Sequence, residues 1–171
     1  MEDVCLKRCS CREFQKKQIP EWKICKIFKA AMQAPSARNE QPWEFILIKN
    51  EDTKMKVSQI SDNFSAASGA ECIILLMANS IRIRNDSPWW IQDMSACAEN
   101  ILVQAADMGL GAVWLGIYPR EDRIEAVKQL MKIPETVTPF AFVLVGYPAK
   151  ELFVKARYDE KRVYKEVYGG K

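Results

Sequence analysis

The segment between Ser87 and Gly109 constrains the fold most, because it predicts one long helix that is apolar on more than one face. Ser87-Pro88 is typical of a helix cap followed by a first turn, and Gly109 is typical of a helix end, so we expect a helix over 89–108. Such a helix lies at the centre of a domain or of a dimer, and in a chain of 171 residues the dimer is the more economical interpretation. The apolar positions are Ile91, Met94, Ala98, Ile101, Leu102, Ala105 and Met108 on one stripe, with Trp90, Cys97 and Val103 elsewhere around the helix.

Other apolar patterns predict the strands and helices that surround this helix. Two continuous apolar runs of strand length indicate strands that are covered on both faces, and a shorter run indicates a third strand. Amphipathic spacing predicts three more helices, of which the one over 51–61 is expected to lie on the surface with a solvated polar face. The strands are expected at Trp43–Lys49, at Cys72–Ala78 and within Phe140–Pro148, and the helices at Ile19–Gln33, Glu51–Ser61 and Asp122–Met131.

Charge and hydropathy argue against two classes of protein. The 25 basic and 22 acidic residues give a formal charge of +3, which is too balanced for a nucleic-acid binder that depends on a strong positive field. No apolar run approaches the roughly 20 residues that span a bilayer, and the first ten residues are polar rather than signal-like. We therefore expect no nucleic-acid partner, no membrane and a cytoplasmic location.

The chain contains no histidine, and this absence limits its chemistry. It excludes Ser-His-Asp and Cys-His nucleophilic catalysis, histidine-ligated zinc and most histidine general-base schemes. Any reaction here is therefore expected to belong to a cofactor.

The segment 34–43 places polar side chains in a loop between a predicted helix and a predicted strand. Ser36, Asn39 and Gln41 lie between Pro35 and Pro42, and their hydroxyl and amide groups both donate and accept hydrogen bonds. That chemistry suits a flat heterocycle or a ribityl chain better than a metal. The alternative is that these side chains only satisfy the loop's own backbone.

The N-terminal segment places two guanidinium groups near a hydroxyl, which suits phosphate oxygens. Arg8, Ser10 and Arg12 fall within five residues. Cys9 and Cys11 lie between them and form, with Cys5, the pattern C-x3-C-x-C, which matches none of the common iron–sulfur spacings. We therefore expect reduced thiols and no metal.

A glycine-rich run at 109–116 is similar at first sight to a dinucleotide-binding fingerprint. That fingerprint needs G-x-G-x-x-G after a strand and before a helix, whereas this run follows a helix, precedes a strand and has its third glycine at another spacing. On its own it indicates a helix end and a turn.

Four segments resemble the nitroreductase family in the family's order. They are Ala-Pro-Ser-x-x-Asn-x-Gln-Pro-Trp at 34–43, Arg-x-Ser-x-Arg-x-Phe at 8–14, Gly-Leu-Gly-x-x-Trp at 109–114, and Gly-Tyr-Pro at 146–148 followed by Lys-x-Arg at 155–157. The resemblance implies an α+β fold with a central mixed or antiparallel sheet flanked by helices. It also implies an intertwined homodimer with FMN between the subunits. The chain is then one domain over 1–171, with the segment from about 150 to 171 packing as an extension.

The resemblance also assigns residues to the flavin. The phosphate would meet the N-terminal arginines and serine and the Lys-x-Arg pair, whose side chains point the same way in an extended segment. Ser36 and Asn39 of the partner subunit's loop would engage the phosphate and ribityl chain, and an asparagine and a strand backbone would face the ring. The implied FMN-binding residues are Arg8, Cys9 (in place of the family's second arginine), Ser10, Arg12, Pro35, Ser36, Asn39, Gln41, Asn63, Leu115, Gly116, Lys155 and Arg157.

The implied activity is hydride transfer from NADH or NADPH to the flavin and then to a nitroaromatic, quinone or similar small acceptor, in a ping-pong sequence. No catalytic side chain is implied, because flavin N5 carries the chemistry. Two alternatives are a flavin-storage protein without turnover and a non-enzymatic module that uses the basic, aromatic tail after Lys150. Neither the acceptor nor the choice of NADH or NADPH follows from the sequence.

Overall fold

The sheet has four strands, and every neighbouring pair is antiparallel. The structure, a computed structural model, describes residues 4–170 apart from the side chain of Asp86. The predicted strands and helices are confirmed to within a few residues, and a short helix at the start of the described chain is an addition that the sequence did not predict. The strands are β1 (Trp43–Ile48), β2 (Cys72–Asn79), β3 (Gly111–Gly116) and β4 (Val137–Gly146), and the helices are α1 (Val4–Lys7), α2 (Glu21–Met32), α3 (Glu51–Gln59), α4 (Trp90–Asp107) and α5 (Glu121–Met131). The order of the strands in the sheet is β1-β2-β4-β3.

Helices cover both faces of the sheet and form two apolar layers. On β2, Ile74 and Leu76 pack in the layer with α2 and α4, whereas Ile73 and Leu75 pack in the layer with α3 and α5. This alternation explains why β2 is apolar at every position up to Ala78. The fold is therefore α+β with a central antiparallel sheet, as predicted.

Helix α4 lies across one face of the sheet, and its two ends differ from each other. Its last turn ends as predicted, because Gly109 takes the left-handed conformation with φ of +70°. The predicted cap at Ser87 is wrong: the helix begins at Trp90, Trp89 occupies the cap position, and no side chain caps the helix. Ser87 is buried instead, and its hydroxyl has no hydrogen-bond partner among residues 4–170.

The surface helix α3 also departs from expectation at one residue. Lys54 is 3 % exposed, and its ammonium group donates to the carbonyl oxygen of Ala70 at 2.6 Å and pairs with Glu51 at 2.7 Å. The polar face is therefore not fully solvated, because this lysine anchors the helix to the chain just before β2.

The N-terminal segment runs along the free edge of β3. Ser10 forms a parallel bridge with Ala112, and Phe14 forms an antiparallel bridge with Pro148. A Cβ atom added at Gly111 would lie 2.6 Å from the side chain of Cys11, so this close approach requires glycine. The chain after Lys150 contributes no α-helix or strand within 151–170, only a short turn at Glu160–Arg162. No helix within 4–170 is long and apolar enough to cross a lipid bilayer.

Candidate cofactor site

The loop over 34–42, called here the polar loop, has an unusual backbone. Arg38, Asn39 and Gln41 have φ of 53°, 56° and 49°, a left-handed conformation that is costly for residues other than glycine. Such clusters persist where the surrounding structure holds them in place and are typical of functional sites. The amide of Gln41 donates to Ser36 Oγ at 3.1 Å, and Gln41 Nε2 donates to Asn39 Oδ1 at 3.0 Å. The alternative that these side chains serve the loop itself is therefore correct in part, although Asn39 and Gln41 also face solvent.

Three hydrogen bonds from outside hold the polar loop. The amide of Ala37 donates to Asp93 Oδ1 on α4 at 2.9 Å, and the amide of Asn79 donates to the carbonyl oxygen of Pro42 at 2.8 Å. The amide of Arg84 donates to Glu40 Oε1 at 3.4 Å. The loop is therefore fixed to helix α4, to the end of β2 and to the segment before α4. Beside it lies a cavity of about 360 Å³, lined by residues that include Pro35, Ser36, Trp89, Gln92 and Asp93.

The predicted phosphate-binding residues from the two ends of the chain line one cavity of about 790 Å³. We call it the basic cleft. Within it, Arg8 is half-buried and its Nε lies 3.3 Å from Glu99 Oε1 on α4. Each of the other cations lies in solvent. The polar and charged residues of the basic cleft are Arg8, Ser10, Arg12, Lys155 and Arg157, and Cys5 and Cys9 also line it.

The three N-terminal cysteines do not converge. Cys5 is exposed and Cys9 half-buried, whereas Cys11 is buried against β3 and donates from Sγ to the carbonyl oxygen of Glu13 at 3.2 Å. Burial raises the pKa of the Cys11 thiol, so it stays protonated. Among residues 4–170 no group of three or more histidine, cysteine or acidic side chains is suited to a metal ion.

The predicted ring-facing residues lie at the far end of β3. The side chain of Leu115 is buried in the core and is therefore not available to a ligand. Arg123 donates from Nη1 to the carbonyl oxygen of Gly116 at 2.7 Å and from Nη2 to Ser61 Oγ at 3.1 Å. Asn63 is exposed and follows Ser61 by two residues. Arg123 therefore ties the end of β3 to the segment that carries Asn63.

The surroundings of Gly116 show whether the end of β3 has room for a flat ligand. A Cβ atom added at Gly116 would meet no protein atom within 4 Å, and its φ is not left-handed. Packing and backbone conformation in the described chain therefore do not require glycine here, unlike at Gly111. Open space beside Gly116 at a strand end suits a planar ring, and the basic cleft suits a phosphate. The donor set thus fits FMN.

Strand register separates the polar loop from the basic cleft of the same chain. The loop enters the sheet at Trp43. Trp43 pairs with Ala78 on β2, and Ala78 pairs with Thr138 on β4. The cleft lies beside Ala112, which is level with Val145. Thr138 and Val145 are seven residues apart on β4, roughly 23 Å, and the two sites also border opposite edge strands. One chain therefore cannot present both sites to a single phosphate.

Sequence reasoning missed four residues that shape the site: Glu40, Asp93, Glu99 and Arg123. One of them had a detectable signal. Asp93 lies next to Met94 and four residues before Cys97, and so falls on the apolar side of the predicted helix. A carboxylate in that position is buried and needs a partner. The partners of Glu40, Glu99 and Arg123 are distant in sequence and gave no local signal.

Known proteins resemble this chain over nearly its whole length. The sequence profile of the nitroreductase family matches residues 6–68 and 62–147. A provisionally named NADH dehydrogenase/NAD(P)H nitroreductase from Archaeoglobus fulgidus is 40% identical over 171 residues, which cover 96% of this chain and 98% of the relative.

Two solved structures show the same fold. A provisionally named NADH oxidase from Clostridium acetobutylicum is 40% identical with a TM-score of 0.93, covering 97% of this chain and 100% of that chain. An FMN-dependent nitroreductase from Clostridium difficile is 25% identical with a TM-score of 0.90, covering 98% of this chain and 100% of that chain. The likeness therefore extends over the polar loop, the basic cleft and the end of β3 together.

Proposed function

The chain belongs to the nitroreductase family, and we propose that it is an FMN-dependent oxidoreductase that takes hydride from NADH or NADPH and reduces a small acceptor such as a nitroaromatic or a quinone. A cytoplasmic location is part of the proposal. The acceptor is defined only by class, because nothing in the site selects one member of it.

The observation that carries the proposal is the spacing between the basic cleft and Gly116. Ser10 bridges to Ala112, and Gly116 lies four residues further along β3, roughly 13 Å away. One end offers cations for a phosphate and the other offers open space beside Gly116 for a ring. An extended molecule with a phosphate at one end and a flat ring at the other matches both ends.

In this proposal, the cations of the basic cleft bind the phosphate of FMN by neutralising its negative charge. Arg8, Lys155 and Arg157 provide guanidinium and ammonium donors, and Ser10 adds a hydroxyl. Arg12 lines the same cleft from the N-terminal segment, and Cys9 lies between the two arginines. The backbone of Leu115 and Gly116, with Asn63 nearby, orients the ring.

A homodimer completes the site in this proposal. Because the polar loop and the basic cleft of one chain are far apart, Pro35, Ser36, Asn39 and Gln41 would reach the cofactor held by the other chain. Large apolar side chains left in solvent support an interface of this kind. They include Trp22 on α2 at 56 % exposure, Met32 at 53 %, Trp89 before α4 at 49 %, and Phe153 and Tyr168 in the tail at 84 % and 91 %.

When bound, FMN would supply the ring that accepts and returns a hydride, so no acidic or basic side chain is obligatory. The chain's own residues hold the phosphate, fix the ring against β3 and leave space for the nicotinamide and then the acceptor. We expect ping-pong kinetics because both reactants would use that same space.

The visible absorption spectrum of the purified protein tests this proposal. It is recorded without oxygen, before and after addition of NADH or NADPH. The proposal expects flavin bands that bleach with at least one of the two reductants. Bands that persist with both would favour flavin storage without turnover. A colourless protein that does not bind added FMN would contradict the proposal.

A further inference from the structure

Two carboxylates are buried where the polar loop meets α4, Glu40 from the loop and Asp93 from the helix, and each has an oxygen without a hydrogen-bond partner among the side chains that the structure describes. The side chain of Glu40 is 1 % exposed, and Asp93 is 5 % exposed. The unpartnered atoms are Glu40 Oε2 and Asp93 Oδ2, and the buried hydroxyl of Ser87 is also unpartnered. A buried polar atom without a partner lowers the stability of the fold, so these three atoms require an explanation.

Asp93 holds the part of the loop where the backbone turns. Its Oδ1 accepts from the amide of Ala37, the first residue of the short turn over 37–39. The next two residues, Arg38 and Asn39, are left-handed, and Ser36 immediately precedes the turn. Because α4 is a long packed helix, the hydrogen bond that Ala37 donates to Asp93 fixes the loop against a rigid element.

The surroundings of Asp93 disfavour its negative charge. Burial raises the pKa of the Asp93 carboxyl, the hydrogen bond from Ala37 lowers it, and the nearby Glu40 raises it again, with a net rise. The loop also contributes Arg38, whose guanidinium lies 3.7 Å from Glu40 Oε1 but is 54 % exposed and therefore screened. The segment before α4 contributes the backbone amide of Arg84, which donates to Glu40 Oε1, and the hydroxyl of Ser87.

We propose that Asp93 is a positioning residue for the polar loop: its Oδ1 fixes the amide of Ala37, and because its Oδ2 is buried without a partner in the described part of the chain, the carboxyl is held beneath the loop most firmly in its protonated, uncharged form. The loop is therefore held most firmly at low pH and loosens as the pH rises. The consequence for flavin binding rests on the proposed function, whereas the positioning of the loop does not.

The direction of the pH dependence follows from the raised pKa. A carboxyl whose pKa is higher in the folded protein than in the unfolded chain stabilises the fold fully below the unfolded pKa of about 3.9, and that contribution is lost as the pH rises through the folded pKa. The hydrogen bond from Ala37 alone favours the charged carboxyl, but exchange of this amide requires the loop to open and return Asp93 to water, so its rate reports the larger effect of burial. The protection factor of this amide should fall as the pH rises from about 4.

The experiment measures the protection factor of the Ala37 amide in the flavin-free protein across this pH range. Asp93→Asn keeps an oxygen acceptor but cannot ionise, Asp93→Ala removes the acceptor, and Glu40→Gln removes the neighbouring charge. Asp107→Asn is the matched control, because Asp107 lies on the same helix and is exposed. Thermal melting confirms that each variant is folded.

We expect Asp93→Ala to lower the protection of Ala37 by at least about tenfold. Asp93→Asn should keep that protection but lose its pH dependence, Glu40→Gln should weaken the pH dependence, and Asp107→Asn should behave as the wild type. Wild-type protection in a folded Asp93→Ala variant, or an unchanged pH dependence in Asp93→Asn, would overturn the inference.

Flavin binding by the same variants separates this inference from the proposed function. If the wild type binds no FMN while Asp93→Ala still frees the Ala37 amide, the proposed function fails and the positioning role stands. If the wild type binds FMN and the Ala37 amide is insensitive to Asp93, the positioning role fails and the proposed function stands.

Discussion

The polar loop and the basic cleft are two halves of one proposed site, and the chain builds them in different ways. The polar loop comes from nine consecutive residues, carries its own hydrogen bonds and is fixed to a buried carboxylate on α4. The basic cleft joins residues about 150 positions apart, and the side chains of Arg12, Lys155 and Arg157 lie in solvent.

The difference indicates how each half contributes to binding. A loop that is already rigid loses little conformational entropy when a ligand arrives, so it contributes shape and orientation. A cleft of long exposed cations loses more entropy but gains charge-assisted hydrogen bonds to phosphate, so it contributes affinity. The loop should therefore be sensitive to its anchor, and the cleft to its charges.

The largest effect is expected when the charges of the tail are removed. The double variant Lys155→Ala/Arg157→Ala should weaken FMN binding by about 100-fold or more, and Arg157→Ala alone by about tenfold, because each loses hydrogen bonds to a charged phosphate. Flavin fluorescence during titration measures this, and the melting temperature of the flavin-free protein should not change.

Lys161→Ala/Arg162→Ala is the matched control for that experiment. It removes the same charge from the same tail, but neither residue lines the basic cleft. Equal weakening by both double variants would show that the tail acts through net charge alone.

Substituting two glycines on β3 should separate effects on folding stability from effects on FMN binding. Gly111→Ala should lower the free energy of unfolding by about 1 to 3 kcal/mol, because the new Cβ would collide with Cys11. Gly116→Ala should leave stability unchanged or slightly raised, because its Cβ has room, but should weaken FMN binding. Urea unfolding and flavin titration on both variants measure the two effects. A Gly116→Ala variant that binds FMN normally would remove this glycine from the site.

Arg123 should have a smaller effect, on the end of β3 rather than on the cleft. Arg123→Ala removes the donors to Gly116 and to Ser61 and should cost about 1 to 2 kcal/mol of stability. Arg120→Ala is the control, because Arg120 pairs with Asp122 entirely at the surface and should have no measurable effect on urea unfolding. Similar losses in the two variants would mean that Arg123 is not a specific link.

The smallest effect concerns thiol reactivity. Burial raises the pKa of Cys72 and of Cys97 to about 12, so both should resist alkylation in the folded protein at neutral pH. Cys5 in the basic cleft and Cys25 on α2 are exposed and should react, and FMN should slow Cys5 but not Cys25. Mass spectrometry after brief alkylation distinguishes these sites, and protection of Cys25 by FMN would contradict this placement of the cleft.

Much of the fold followed from the sequence, because apolar runs and helical spacing mark long packed elements. Ser87 is an example of what such patterns cannot show. A serine before a proline is typical of a helix cap, but the hydroxyl of Ser87 is buried and does not cap α4. Asp93 left a signal, a carboxylate on the apolar side of the helix, but the sequence could not show that its partner lies in a loop 56 residues earlier. Long-range polar pairs of this kind, like that between Arg123 and Ser61, depend on tertiary structure and leave no local pattern.

Sequence reasoning proposed the cofactor residues but could not show their distance from one another. Ser36 and Ser10 both suit a phosphate, yet strand register places them far apart in one chain. The resemblance already implied that the loop residues come from the partner subunit, and the separation seen in the topology supports that proposal.

Mixing two variants tests this division most directly. One carries Ser36→Ala and Asn39→Ala in the polar loop, the other carries Lys155→Ala and Arg157→Ala in the basic cleft, and each is expected to retain little FMN alone. After subunit exchange at equal amounts, half of the dimers should be mixed, each with one intact site, so flavin content should rise to about a quarter of the wild-type value. Flavin content that stays at the level of the separate variants would contradict a site shared between two chains.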